Sequence, residues 1–158
     1  MDDEKWMKVA VGEAEKAMEN GELPFGAVLV ADGEEVARAQ TRVTRDMTTA
    51  AHAETRVLFE AGNLYDVEHP LVLYTNVEPC LMCLATATRC FVDRVVYALP
   101  AGDAENTEIL ADTGAEELPR LEGGVLEPES RELFERVLRE NPEHFAADYA
   151  HELLDKEE

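Results

Sequence analysis

Residues 79–83 read Pro-Cys-Leu-Met-Cys, and residues 52–54, upstream of them, read His-Ala-Glu. Cys80 and Cys83 stand three positions apart at the expected start of a helix, so both sulfur atoms face one side at the separation that a tetrahedral zinc ion needs. A helix N-terminus also favours thiolate over thiol. His52, expected in the first turn of the preceding helix, offers an imidazole as a third ligand. The pattern predicts a metal centre.

The fourth coordination position of this centre is expected to be open. Cys90 follows Cys83 by two helical turns, about 10.5 Å along a continuous helix, which is too far for one metal ion. No spacing rule recommends His69 as a ligand. Three protein ligands with one free position are typical of a catalytic zinc site, in which the ion lowers the pKa of bound water toward about 7. Glu54, in the same first turn as His52, is placed to take up the proton.

The order of helical and strand patterns along the chain predicts an α/β sandwich. A long acidic, glycine-rich stretch over 99–124 shows no periodicity and is expected to be a loop, with a short strand near Val125 and Leu126. The expected helices cover 4–19, 50–61, 80–90, 129–139 and 142–154, and the expected strands cover 25–30, 34–39, 71–75 and 92–98.

Length and composition describe one soluble globular domain over residues 1–158, with 46% apolar and 31% charged residues. No apolar run approaches the roughly 18 residues of a membrane span. The chain begins with an acidic stretch where a secretory signal would be basic and then apolar. We therefore expect a cytoplasmic protein that does not bind membranes.

The charge balance is strongly acidic, with 35 acidic residues, 14 lysines and arginines, and a net charge of −21. Binding a nucleic acid through its phosphates requires a basic face. Arg38, Arg42 and Arg45 come closest to a basic cluster, and they can equally be solvated surface residues. Nucleic acid is therefore an unexpected partner. An acidic surface poor in lysine is typical of proteins that work in concentrated salt, and we hypothesise a halophilic source.

Five short segments together resemble the cytidine-deaminase-like superfamily, and within it the branch of cytosine deaminases, guanine deaminases and tRNA adenosine deaminases. They follow one another in family order at residues 24–28, 52–54, 73–75, 78–83 and 94–96. Two of these segments match the zinc-deaminase signature, H-x-E followed by P-C-x-x-C.

This resemblance implies a three-layer α/β/α sandwich around a mixed five-stranded sheet, and hydrolytic deamination. It makes His52, Cys80 and Cys83 the ligands of one zinc ion per chain and Glu54 the proton shuttle. It also implies a homodimer.

The residues that would select the substrate are less regular. Thr41 stands where the family usually has an asparagine, and a hydroxyl group cannot present the paired face of an amide. Residues 140–148 resemble the end of fungal-type cytosine deaminases, in which Phe145 and Asp148 would close over the base. Residues 98–112 resemble the acidic loop of guanine deaminases, with Asp103 or Asp112 accepting from the amine. Phe25 is either core or a wall of the pocket.

The main expectation is deamination of a free nucleobase, cytosine or guanine. A tRNA adenosine deaminase is the alternative, which we disfavour because residues 155–158 are acidic and would repel phosphate. A catalytically silent, zinc-stabilised scaffold is a further alternative, and the intact Glu54 argues against it.

Overall fold

The computed structural model describes residues 2–102, 105–112, 114 and 117–155. Six helices and five strands are described, and we number each type in chain order. The helices are α1 (Asp3–Glu19), α2 (Ala53–Glu60), α3 (Leu81–Arg89), α4 (Glu105–Asp112), α5 (Glu127–Glu140) and α6 (Ala147–Leu154). The strands are β1 (Gly26–Ala31), β2 (Glu34–Gln40), β3 (Leu71–Val77), β4 (Arg94–Leu99) and β5 (Arg120–Glu122).

The strands form one mixed sheet in the order β2-β1-β3-β4-β5. β1 runs antiparallel to both β2 and β3, whereas β3, β4 and β5 are parallel to one another. Every residue of β3 is buried, which is typical of a central strand covered on both faces. The mixed five-stranded sheet expected from the resemblance is confirmed.

Helices cover both faces of the sheet, and successive strand side chains point to opposite sides. On one face Val28, Tyr74 and Val96 pack with residues of α1. On the other face Leu29, Leu73 and Val95 pack with residues of α2 and α3. The three layers hold the N-terminal ends of α2 and α3 side by side, and this contact positions the site described below.

The end of the chain differs from the sequence expectation. The stretch 99–124, expected to be a loop, contains α4 and β5, and Val125 and Leu126 lie after the last strand instead of forming it. β5 has three residues, too few for an alternating pattern to be recognised, and it forms through pairing with β4. The final helix begins at Ala147, later than the expected start at Pro142.

Among the described residues, none of the helices combines the length and the apolar character needed to cross a membrane.

Candidate metal centre and active site

The side chains of His52, Cys80 and Cys83 meet where the N-termini of α2 and α3 lie together. His52 is the N-cap of α2, with extended backbone angles (φ −69°, ψ 157°), and not a residue of its first turn as expected from the sequence. Cys80 is the N-cap of α3 and is also extended (φ −72°, ψ 170°). Neither side chain caps its own helix. Both are therefore free to point toward a shared position ahead of the two helices.

The three donor atoms have the spacing of a tetrahedral zinc site. His52 Nδ1 lies 3.5 Å from Cys83 Sγ and 3.7 Å from Cys80 Sγ, and the two sulfur atoms are 3.6 Å apart. Zn–S bonds of about 2.3 Å and Zn–N bonds of about 2.0 Å place tetrahedral ligands roughly 3.5–3.8 Å from one another. Among the described residues, this is the one group of histidine, cysteine and acidic side chains able to hold a metal ion.

Hydrogen bonds link the two cysteines and the histidine to one another. The hydrogen bond between the sulfur atoms lowers the pKa of Cys80 to about 4 and raises that of Cys83. The hydrogen bond with Cys80 raises the pKa of His52. Zinc binds thiolate and neutral imidazole, so metal uptake at this site releases protons. Two sulfur donors and one nitrogen donor form a set that zinc prefers, and the residues present fit this ion.

Glu54 lies in the first turn of α2 and is buried, with 4% of its surface exposed. Burial raises the pKa of its carboxyl group to about 7, because little solvent is available to stabilise the charged form. Its side chain lines the same cavity as His52 and Cys80. A carboxyl group in this place can exchange a proton with a molecule bound beside the metal position.

The cavity in front of these residues has a volume of about 310 Å³. Its walls come from the segment before β1, the segment after β2, the N-termini of α2 and α3, and the segment around the start of α6. The lining residues are Glu22, Leu23, Phe25, Thr41, Val43, His52, Glu54, Glu78, Cys80, Phe145, Ala146 and Tyr149.

Three of the six substrate residues named from the sequence line this cavity, namely Phe25, Thr41 and Phe145. Asp148 is exposed in the first turn of α6 and does not line it. Asp112 is exposed in α4, also away from the cavity, and Asp103 lies outside the described residues.

The hydroxyl group of Thr41 is already engaged within the protein. Its Oγ1 donates to the carbonyl oxygen of Ala51 (3.2 Å), and its backbone N–H donates to the carbonyl oxygen of Phe25 (3.1 Å). Since the hydroxyl proton is used, Thr41 can offer a ligand only an acceptor lone pair. An asparagine at this place would offer both an acceptor and a donor.

Sequence reasoning missed several residues of the cavity wall. Tyr149 lies one position beyond Asp148, and the rotation of about 100° per residue in α6 turns it toward the cavity. Its ring centroid is 6.0 Å from that of Phe25. Glu22 and Val43 carry no local sequence signal, because their places depend on contacts between distant segments.

A mixed sheet with a His-Cys-Cys group at two helix N-termini, and a buried glutamate in the adjoining cavity, defines a zinc-dependent deaminase. Residues 1–99 match the family model of the cytidine and deoxycytidylate deaminase zinc-binding region. The chain belongs to this family. It is a zinc-dependent hydrolase with a cytidine-deaminase-like fold, as the sequence resemblance implied.

Several curated relatives match the chain over most of its length. A tRNA-specific adenosine deaminase of Bacillus subtilis (strain 168) is 35% identical over 144 residues, which cover 87% of this chain and 89% of the relative. A tRNA-specific adenosine deaminase of Agrobacterium fabrum (strain C58) is 33% identical over 141 residues, covering 85% and 93% respectively.

Solved structures show the same fold. One from a study of A-to-I editing by tRNA:A34 deaminases is 32% identical, with a TM-score of 0.73, and the match covers 82% of this chain and 98% of that one. A guanine deaminase from Nitrosomonas europaea has a TM-score of 0.69 but 22% identity, over 94% of this chain and 84% of that one, so the likeness extends to the fold alone.

These relatives correct two expectations drawn from the sequence. The preference for a free nucleobase substrate is wrong, since the relatives at 33–35% identity are tRNA-specific adenosine deaminases. The expectation that nucleic acid is an unlikely partner is wrong for the same reason. The net charge is a sum over the whole chain, and the acidic tail comprises its last few residues. Substrate choice depends instead on the few residues around one cavity. The expected homodimer stays a prediction.

Proposed function

We propose that this chain hydrolyses adenosine to inosine in tRNA, with the wobble adenosine at position 34 as its target. The observation that carries the proposal is the match to tRNA-specific adenosine deaminases over 85–87% of this chain and 89–93% of theirs. The similarity to a structure from the A34-editing study supports the choice of position. A cytoplasmic location, where tRNA is found, is part of the proposal.

We assign His52, Cys80 and Cys83 as the ligands of one zinc ion. When bound there, zinc supplies Lewis acidity that makes a water molecule a better nucleophile at neutral pH. The near-tetrahedral spacing of the three donor atoms supports this assignment.

Glu54 is proposed as the proton-transfer group. Its buried carboxyl group lines the cavity beside His52 and Cys80, within the space that a target base would enter. It takes a proton from the attacking water and delivers it to N1 of adenine as oxygen adds at C6. It then passes a second proton to the exocyclic nitrogen, which leaves as ammonia, so that water and adenosine become inosine and ammonia.

The cavity supports binding of a base that has been turned out of its stack. Phe25 and Tyr149 provide aromatic surfaces inside it, and Phe145 lies at the mouth with 72% of its surface exposed. The Phe145 ring stacks on His144, with centroids 4.5 Å apart. Exposed rings of this kind offer stacking surfaces to single-stranded nucleotides next to a target base.

The test is a comparison of substrates in concentrated KCl with zinc present. We expect inosine to form in a tRNA anticodon stem-loop carrying adenosine at position 34. The matched control is the same stem-loop with guanosine at this position, and free adenine, guanine, cytosine and cytidine complete the panel. Release of ammonia from a free base, with no inosine in the stem-loop, would overturn the proposal. No turnover of any substrate by the zinc-loaded protein would support the silent scaffold instead.

A further inference from the structure

Glu22 is a buried acidic residue whose role the chemistry above does not use. Its side chain is 3% exposed and lines the active-site cavity. The two carboxylate oxygens accept hydrogen bonds from successive backbone N–H groups, Oε1 from Thr44 (3.0 Å) and Oε2 from Arg45 (2.7 Å). Hydrogen bonds to a charged acceptor are stronger than those between neutral groups, so these two contacts fix the backbone of Thr44 and Arg45.

The segment that Glu22 holds is the 42–51 loop, which joins β2 to α2 and contributes Val43 to the cavity wall. The two ends of this loop are joined by hydrogen bonds that do not involve Glu22. The backbone N–H of Arg42 and the hydroxyl of Thr41 both donate to the carbonyl oxygen of Ala51, at 2.9 and 3.2 Å. His52, which follows Ala51 directly, is therefore held near the joined ends of the loop. Within the loop the N–H of Thr48 donates to the carbonyl oxygen of Val43 (3.1 Å) and Arg42 pairs with Asp46 (2.9 Å). The carboxylate of Glu22 ties this folded segment to the turn before β1.

Gly21, the residue before Glu22, contacts the segment that contributes Phe145 and Ala146 to the cavity wall. The carbonyl oxygen of Gly21 accepts from Nε2 of His144 (3.3 Å), and Nδ1 of His144 accepts from the backbone N–H of Ala146 (3.1 Å). A neutral imidazole protonated on Nε2 satisfies both contacts. Phe145 and Ala146 line the cavity, so the turn at residues 21 and 22 contacts both of these walls.

We propose that Glu22 is a positioning residue for substrate binding: its carboxylate holds Thr44 and Arg45, and thereby sets Val43 against the bound base. The inference rests on the proposed function only for the substrate with which it is tested. Loss of the carboxylate frees the middle of the 42–51 loop from residue 22. The two ends of the loop, His52 and the metal centre stay in place.

The test compares Glu22→Ala and Glu22→Gln with the wild type. Glutamine can accept one of the two N–H groups and turns its own NH₂ group toward the other, so we expect an intermediate effect. The matched control is Glu13→Ala, because Glu13 is also buried (6% exposed) but pairs with the side chain of Lys16 (2.9 Å) and does not line the cavity.

Three quantities are measured: zinc content, amide hydrogen exchange at Thr44 and Arg45, and KM and kcat with the best substrate of the panel above. In Glu22→Ala we expect full zinc content, loss of protection at both amides, and a KM raised about tenfold with kcat changed by less than about threefold. Glu13→Ala should keep the wild-type KM and the wild-type exchange at these amides.

Two results would overturn the inference. One is retained protection of the Thr44 and Arg45 amides in Glu22→Ala. The other is loss of protection with an unchanged KM, which would leave Glu22 a purely structural residue. Failure of the stem-loop as a substrate would overturn the proposed function separately, because the exchange measurement and a KM for another turned-over substrate do not depend on RNA.

Discussion

His52 and Cys80 occupy positions where a side chain ordinarily stabilises its own helix. An N-cap side chain usually accepts a hydrogen bond from the first turn, which contributes about 1 kcal/mol. Neither residue makes this bond, and both side chains turn to the shared donor group instead. The N-terminal ends of α2 and α3 are consequently less stable on their own than capped helices, and a metal ion bound by His52, Cys80 and Cys83 would offset this loss.

At the residue scale, the roles of metal ligand and proton shuttle can be separated at Glu54. Glu54→Gln keeps the size of the side chain but cannot carry protons between water and base. We expect unchanged zinc content and a fall in turnover of about 10²- to 10⁴-fold, the usual contribution of general acid–base catalysis. Metal analysis of the purified variant and its rate of inosine formation check this expectation. Loss of zinc from this variant would instead identify Glu54 as a ligand.

At the scale of elements, α1 approaches the start of β1 closely at Gly26. A Cβ atom at Gly26 would lie 2.2 Å from the carbonyl oxygen of Ala10 and 2.4 Å from the backbone nitrogen of Ala14. The N–H of Gly26 donates to Oδ1 of the buried Asn76 (2.8 Å), and Nδ2 of Asn76 donates to the carbonyl oxygen of Pro24 (2.8 Å). These contacts hold the segment that leads from Glu22 into β1.

Gly26→Ala tests this close approach. We expect a loss of about 1–3 kcal/mol in the free energy of unfolding, because backbone atoms of α1 must move to admit the methyl group. Gly12→Ala is the matched control: Gly12 lies within α1 with nothing within 4 Å of the added carbon, and alanine there should stabilise by about 0.5–1 kcal/mol. Urea unfolding of both variants at one salt concentration measures the two changes in the free energy of unfolding. Equal effects of the two substitutions would contradict the inferred contact.

At the scale of the whole molecule, the net charge of −21 is the dominant feature. Several arginines are already paired with acidic side chains, and two of the three that the sequence groups together are among them. Arg38 pairs with Glu35, and Arg42 pairs with Asp46. Such pairing lowers the number of cations left to meet a phosphate backbone, so the proposed binding of RNA is expected to depend on screening of the acidic surface.

Salt should therefore stabilise the folded protein. Concentrated KCl screens repulsion among the acidic side chains, and we expect the thermal midpoint to rise by several degrees between about 0.1 and 2 M KCl. Thermal unfolding followed by circular dichroism measures this, with sucrose at matched osmolality as a control for non-ionic effects. Full stability in dilute buffer, with no further gain in KCl, would contradict the halophilic hypothesis, which stays a prediction until then.

The substrate was the part of the function that sequence chemistry predicted wrongly. The acidic tail and the net charge favoured a small uncharged base, and the relatives correct this choice. Charge summed over a chain does not report the few contacts around a cavity, and the side chains of Phe145 and Tyr149 come to the cavity only through the docking of the C-terminal segment. The metal site was more secure, because it follows from the ligand chemistry itself, and the class of reaction implied by the family resemblance is confirmed by the family match.

The sequence by itself determined the donor set, the nearby carboxyl group and the central strands. Cys80 and Cys83 lie one helical turn apart, and β3 begins with a short apolar run, so the cysteine pair and this strand depend on neighbours along the chain. His52 and Glu54 were recognised through the zinc-deaminase signature. Tertiary structure alone decided the three-residue strand β5, whose Glu122 pairs with Arg94 of β4, and the place of Glu22 beside Thr44. These features arise from contacts between segments far apart in the chain, and such contacts leave no periodic pattern in either segment.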